Sequence, residues 1–277
     1  HTVDYSISGE PFKVFSCSDC SFHFTQNHPD ETEIGPYYQS EDYISHSDTN
    51  KGIVNLLYHW VRKIMLKQKY RLIHQEHPKK KLLDIGCGTG YFLNLKKKKN
   101  YSTWGIEKDK DARTFAKQNF ELAVDPPKAF IAEKHMQKYD VITLWHVLEH
   151  LQNPDQYLQA INKTLEKDGL LVIALPNHVS FDAQHYGKYW AGYDVPRHLW
   201  HFNPETLDLL IKRHGFKTKQ IYRLPFDAFY NALLSEKYKK NPLALISGFF
   251  IGLISYFRSL SNKQKSSSVI YMCRRDS

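Results

Sequence analysis

The sequence predicts an α/β protein with a doubly wound, mostly parallel sheet. Three observations carry that expectation. Short β-rich runs alternate with helical patterns from residue 80 onward. A glycine-rich turn, Gly86, Gly88 and Gly90, follows the first run directly. Helix starts (Asn153-Pro154, Asn203-Pro204) and stops (Gly169, Gly215) punctuate the rest. Strands that alternate with helices form parallel β-α-β units covered on both faces.

The elements follow in order. Residues 51–74 place Ile53, Leu56, Leu57, Trp60, Ile64 and Tyr70 near helical spacing, and His77-Pro78 ends that helix. KLLDIG (81–86) reads as a buried strand, followed by a glycine turn and a helix to about Lys97. TWGIE (103–107) is the next strand and DKDARTFAKQNF the next helix. YDVITLW (139–145) is a strand. A helix from Asn153-Pro154 to Gly169 and a strand LLVIAL (170–175) come after it. FKTKQIYRL follows Gly215 as a further strand. Ligands of such sheets bind at the carboxyl ends of the strands, beside the topological switch point.

The chain has 277 residues, of which 42% are hydrophobic, enough for a sizeable core. Its net charge is +9, partly from Lys79–Lys81 and Lys96–Lys99. That charge permits an anionic partner and does not demand one. Cys17, Cys20, Cys87 and Cys273 are too few and too scattered for a disulfide scaffold, so a reducing cytoplasm is expected. No secretory signal is visible, and the start at His1 reads as a fragment or a tag remnant.

The glycine turn decides the ligand class. No Gly-Lys-Ser/Thr closes it, which excludes a P-loop. The spacing is G-x-G-x-G, and the dinucleotide fingerprint would want glycine where Tyr91 stands. Asp84 sits just before the turn, where a carboxylate repels a diphosphate and suits a cation. Glu107 ends the second strand, where an acid can accept both hydroxyls of a ribose. The expected ligand is an adenosine carrying a positive group, the charge pattern of S-adenosylmethionine. A glycine turn without a ligand is the plain alternative.

At this point the chain resembles a family. LLDIGCGTGYFL, WGIEKD, YDVITLWHVLEHLQNPDQYL and LEKDGLLVIALPN together look like class I S-adenosylmethionine-dependent methyltransferases, nearest the ubiquinone-biosynthesis-type O-methyltransferases. The resemblance covers about 80–223. It implies a Rossmann-like, seven-stranded sheet whose last strand, within 266–275, is antiparallel. It also implies that Asp84 faces the methionine ammonium, that Gly86, Cys87, Gly88 and Gly90 line the cofactor, and that Glu107 holds the ribose. Leu144 and Trp145 would line the sulfonium and adenine region. Ile106 and Lys108 would flank the adenine. S-adenosylhomocysteine would be the product.

His146, Glu149 and His150 match H-x-x-E-H, a zinc-peptidase pattern. The context denies that reading, because the segment leaves a strand and a new helix starts at Asn153-Pro154. The resembling enzymes carry E-x-x-E-H there, associated with a divalent metal. His146 replaces the first Glu, which leaves three readings open: a metal of softer character, a catalytic histidine, or packing. In GYDVPRHLWHF (192–202) Arg197 offers a fork for an anion, and His198 and His201 offer proton acceptors. Trp190, Tyr193 and Trp200 could wall an apolar substrate, or the loop could be tied down by its own aromatics and arginine. His150, His198 and His146 are the catalytic candidates.

The ends complete the division. Residues 1–35 form an N-terminal segment in which Cys17 and Cys20, with His23 and His28, look like half a zinc ribbon. Residues 36–78 form a helical lid with Tyr37, Tyr38, Tyr43 and His46 as closing groups. The cofactor core spans 79–223, a partly apolar helical insertion 224–265, and the final strand 266–277. Residues 243–257 carry no charge and are flanked by Lys239, Lys240, Arg258 and Lys263. They suit a packed helix, a dimer contact or an interfacial anchor. The expected activity is methyl transfer to a small, apolar or lipid-linked acceptor, on oxygen. The alternatives are a nucleic-acid methyltransferase, for which no N/D-P-P-Y/F tetrad is present, and a cofactor-binding protein without catalysis.

Overall fold

A computed structural model of the chain describes residues 1–38, 53–132 and 137–276. The lid candidates Tyr43 and His46 lie outside them. Strands β1 (Thr2–Val3), β2 (Pro11–Ser16) and β3 (His23–Gln26) open the chain, followed by helix α1 (Ile53–Glu76). Then come β4 (Lys81–Ile85), α2 (Tyr91–Lys97), β5 (Ser102–Ile106), α3 (Lys110–Phe120), β6 (Ala123–Asp125), α4 (Pro127–Ile131) and β7 (Tyr139–Trp145). After a 3-10 turn at Leu148–His150 follow α5 (Pro154–Thr164), β8 (Leu165–Pro176), α6 (Phe181–Tyr186), β9 (Trp200–His201), α7 (Pro204–Lys212) and β10 (Phe216–Arg223). The chain closes with α8 (Asp227–Tyr238), α9 (Ala244–Ser261) and β11 (Ser268–Arg275).

Seven strands form one sheet in the order β10-β11-β8-β7-β4-β5-β6, with β11 antiparallel. The expected doubly wound, Rossmann-like sheet is therefore present. Chain order runs outward from β4 to β5 and β6, then jumps to β7 on the other side of β4, which puts the switch point between β4 and β7. Both strands pair with β4 in parallel, Asp84 standing opposite Thr143 on one side and Gly105 on the other. Leu82, Leu83, Val141 and Ile142 are wholly buried, as strands covered on both faces require.

Three expectations need correction. The helix from Asn153-Pro154 stops at Thr164, and Leu165 already belongs to β8. Gly169 therefore lies within a strand, where a Cβ would come within 2.6 Å of Leu165 Cγ. The strand β6 was not anticipated, because three residues are too few to show a period of two. The apolar helix runs on to Ser261, past the uncharged stretch.

Cys17 and Cys20 lie in the turn of the β2–β3 hairpin. Hairpin β2–β3 continues into β9, with His23 opposite His201 and Phe24 opposite Trp200, in a four-stranded sheet β1-β2-β3-β9. By density of contacts the chain divides into two compact units. One gathers His1–Ser40, His146–Pro154 and Ile173–Met272, and the other gathers Glu41–Trp145, Asp155–Val172 and Cys273–Ser277.

Candidate cofactor loop and a buried histidine cluster

The glycine loop lies in the second unit. Gly86 and Gly88 take φ of 72° and 53°, and Gly90 takes 83°, all in the left-handed region that side chains avoid. The backbone N–H groups of Gly86 and Cys87 donate to the Ile106 carbonyl at 2.7 and 3.1 Å, which folds the loop over the end of β5. Close approach there needs Gly105, whose Cβ would stand 2.6 Å from Cys87 Sγ. Around Gly88, by contrast, a Cβ would meet nothing within 4 Å. The loop thus has one side packed against protein and one side facing open space.

Two carboxylates frame it. Glu107 accepts from Gly88 N–H at 2.7 Å with one oxygen and from Asp109 N–H at 2.9 Å with the other. A carboxylate has about four lone-pair positions, so acceptor capacity remains on both oxygens. Asp84 is 2% exposed, and Thr143 Oγ1 donates to it at 2.5 Å. Burial raises its pKa to about 7, against the Thr143 bond, which favours the charged form. A cationic ligand group would reverse that shift.

The other sequence candidates in this unit fall into place unevenly. Trp145 is half-buried, with Lys69 Nζ 4.2 Å above its ring, and its indole N–H has no hydrogen-bond partner among the described residues. Leu144 and Ile106 are almost wholly buried, so their side chains belong to the core. Lys108 is exposed, and its carbonyl accepts from Arg113. Cys87 is buried, which pushes its thiol pKa well up and makes it inert packing. Sequence reasoning missed Lys96, a fully buried lysine on α2. Its ammonium faces Tyr101 at 4.3 Å and Tyr70 at 4.8 Å. It had read as one of a run of solvated lysines.

The histidine cluster lies in the first unit. His146 takes φ of 56°, a strained turn for a residue with a side chain. Its Nδ1 is 3.5 Å from Glu149 and its Nε2 is 3.3 Å from Asp227. Burial works against its charge, yet the two carboxylates win and raise its pKa to about 9. An imidazolium cannot accept a proton, which removes His146 as a general base at neutral pH.

His150 and His198 meet at a ring separation of 4.5 Å. The Nδ1 of His150 is 3.0 Å from the Arg197 carbonyl, and the Nδ1 of His198 is 2.9 Å from the Gly192 carbonyl. A carbonyl only accepts, so each Nδ1 carries a hydrogen. Burial, aided by His198, lowers the pKa of His150 to about 4 and keeps that ring neutral. Near them is Glu149, 1% exposed, which has His146 at 3.5 Å and no closer hydrogen-bond partner among the described residues. Burial would protonate it, but contact with the charged His146, foremost, holds its pKa below the ordinary value. One ligand atom each from Glu149, His150 and His198 lie within 4.8 Å of one another. Among the described residues this is the one such group. Neither Cys17, Cys20 and His23 nor the set His146, Glu149 and His150 forms another. The exposed Cys20 is a free thiol, and His23 Nδ1 is engaged by the Ser21 carbonyl at 2.9 Å.

The 192–202 loop is tied down rather than open. Arg197, 5% exposed, donates to both oxygens of Asp194, to Asp4 at 2.9 Å and to the Tyr37 carbonyl at 2.8 Å. Its fork is filled by the protein, so it does not receive a substrate anion. Trp190 is buried with its N–H on Asp182, and Trp200 donates to the Leu151 carbonyl. His201 is buried against Thr25, and burial drives its pKa far down. Of the lid candidates described, Tyr37 bonds Glu10 and Tyr38 bonds His150.

Residues 57–221 match the model of a family described as a methyltransferase domain, more than half of the chain. The chain belongs to that family. A ubiquinone biosynthesis O-methyltransferase of Glaesserella parasuis is 32% identical over 111 residues, 36% of this chain and 47% of that protein. The chain thus spans about half the length of the curated relatives it matches. A magnesium protoporphyrin IX methyltransferase from Synechocystis with bound S-adenosylhomocysteine has a TM-score of 0.58 at 11% identity, over 89% of this chain and all of that one. A SAM-dependent methyltransferase from Archaeoglobus fulgidus has 0.54 at 20%, over 81% and 100%. At such identities the structures attest the fold.

Proposed function

We propose that the chain transfers a methyl group from S-adenosylmethionine to an oxygen of a small, apolar acceptor. The observation that carries this is Glu107. It closes the glycine loop at the carboxyl end of β5 while keeping lone pairs for two ribose hydroxyls. Buried Asp84 at the foot of the same loop favours a ligand with a positive group over a diphosphate. In the transfer, the acceptor oxygen forms a bond to the methyl carbon. The carbon–sulfur pair returns to sulfur, giving S-adenosylhomocysteine, and the acceptor proton passes to a base. Alignment of oxygen, carbon and sulfur supplies much of such a rate. Oxygen as the target, and an apolar acceptor, follow the names of the ubiquinone-biosynthesis relatives. The free thiols suit a reducing cytoplasm. Incubation with methyl-labelled S-adenosylmethionine and a panel of catechols and phenols tests the reading. Label should appear in methyl groups on oxygen, and label only on nitrogen or carbon would contradict it.

A second reading concerns the Glu149, His150 and His198 group, which fits the divalent metal implied by the E-x-x-E-H resemblance. Glu149 is buried, its one cationic neighbour is His146 at 3.5 Å, and neither oxygen has a closer hydrogen bond among the described residues, while two imidazoles held at Nδ1 complete a donor set. Two histidines and one carboxylate suit zinc, iron or manganese better than magnesium. Such an ion supplies Lewis acidity. Calorimetric titration with zinc and manganese should show one site, lost in Glu149→Gln. Equal binding by that variant would refute the assignment.

A further inference from the structure

Helix α9 presents a large apolar face that no described residue of the first unit covers. Gly248 and Gly252 bring it down onto the backbone of α8, where a Cβ would stand 2.8 Å from Leu233 Cα or Phe229 Cα. Ser255 Oγ on the same side donates at 2.7 Å to Asp182, a wholly buried carboxylate that also accepts from Trp190 and Ser267. The opposite side exposes Leu245 (74%), Ile246, Phe249, Phe250 (57%), Ile254 and Phe257. These residues follow helical spacing, so they form one continuous strip along the helix.

By length and composition α9 could cross a membrane. Its attachment argues otherwise. A spanning helix would have to leave α8 and strip the buried Oδ1 of Asp182 of its Ser255 donor. The helix is instead held along α8, with its Leu245–Phe257 strip exposed.

Charge names what covers that face. From Lys237 to Arg275 the sequence has no acidic residue. Exposed Lys237, Lys239 and Lys240 stand at one end of α9, and exposed Arg258, Lys263 and Lys265 at the other. A second copy docked here by a two-fold axis would set basic rims against basic rims. An anionic lipid surface takes both features at once, apolar side chains entering the acyl boundary and lysines meeting headgroups.

We propose that α9 lies in the plane of an anionic bilayer surface, its Leu245–Phe257 strip immersed and its lysine ends on the headgroups. The docking is independent of the methyl-transfer reading. Its consequence, an acceptor drawn from the bilayer, rests on that reading.

The test is flotation of the full chain with vesicles of phosphatidylcholine, with and without phosphatidylglycerol. Binding is expected to the anionic vesicles and to fall at least about tenfold on raising salt from low to several hundred millimolar. Ile246→Ser/Phe250→Ser should abolish it, and Lys239→Glu/Lys240→Glu should weaken it by at least about thirtyfold. Circular dichroism and S-adenosylhomocysteine titration of each variant separate a folding or cofactor failure from a docking failure. No flotation, or equal flotation with neutral vesicles, overturns the proposal. So does a dimer in solution that the Ile246→Ser/Phe250→Ser variant converts to monomer.

Discussion

The last two glycines of the loop, Gly88 and Gly90, should fail in different ways when changed to alanine. Both have positive φ, which costs an alanine about 1–2 kcal/mol, partly offset by about 0.5–1 kcal/mol through the unfolded chain. At Gly88 nothing else is added, because its Cβ meets no atom within 4 Å. Gly88→Ala should therefore lose only about 1 kcal/mol of stability. At Gly90 the Cβ would stand 2.6 Å from Leu122 Cδ1 and 3.1 Å from Ala116 Cβ. That overpacking adds about 1–3 kcal/mol, for a total of about 2–4 kcal/mol. The open space at Gly88 is where the nucleoside is proposed to lie. A methyl group there should weaken S-adenosylhomocysteine by about tenfold to hundredfold, an overpacking cost of the same size. Urea denaturation gives the stabilities and titration calorimetry the affinities. The reasoning is refuted if Gly88→Ala binds as tightly as the parent, or if it is the less stable of the two.

Further outcomes follow from buried groups. Burial lowers the pKa of Lys96 from 10.5 to about 7. Between those values the unfolded chain binds a proton that the folded chain lacks, so this residue's destabilisation fades as pH rises from 7 to 10.5. Lys96→Met should stabilise by a few kcal/mol at and below pH 7 and by little near pH 10; denaturant midpoints at several pH values check this, and a constant difference would contradict it. Arg197→Lys should cost about 2–4 kcal/mol, because one ammonium cannot serve Asp194, Asp4 and the Tyr37 carbonyl together; a thermal melt decides it. Gly248→Leu should lower the melting temperature by lifting α9 off Leu233, with S-adenosylhomocysteine affinity kept.

The sheet was legible because its buried strands are long apolar runs and its turns carry glycine and proline. Where those signals thin out, reading failed. Ala123–Asp125 is too short for a period, and Glu166, Lys167 and Asp168 gave a strand the polarity of a helix surface. The loop was legible because Asp84, three glycines and Glu107 keep a fixed order along one β-α-β unit. The histidines were visible as letters, but their partners were not. Asp227 is distant in sequence from His146, and Asp4 from Arg197, so only the fold shows that the first is charged and the second occupied. Lys96 hid in a run of lysines, because helical phase alone turned it inward.

The central claim is that the glycine loop and Glu107 seat an adenosine bearing a positive group. Titration calorimetry of the parent chain with S-adenosylhomocysteine, and separately with NAD, tests it most directly. One site for S-adenosylhomocysteine, lost in Glu107→Ala, and no measurable heat with NAD are expected. Saturable NAD binding, or S-adenosylhomocysteine binding that survives Glu107→Ala unchanged, would contradict it.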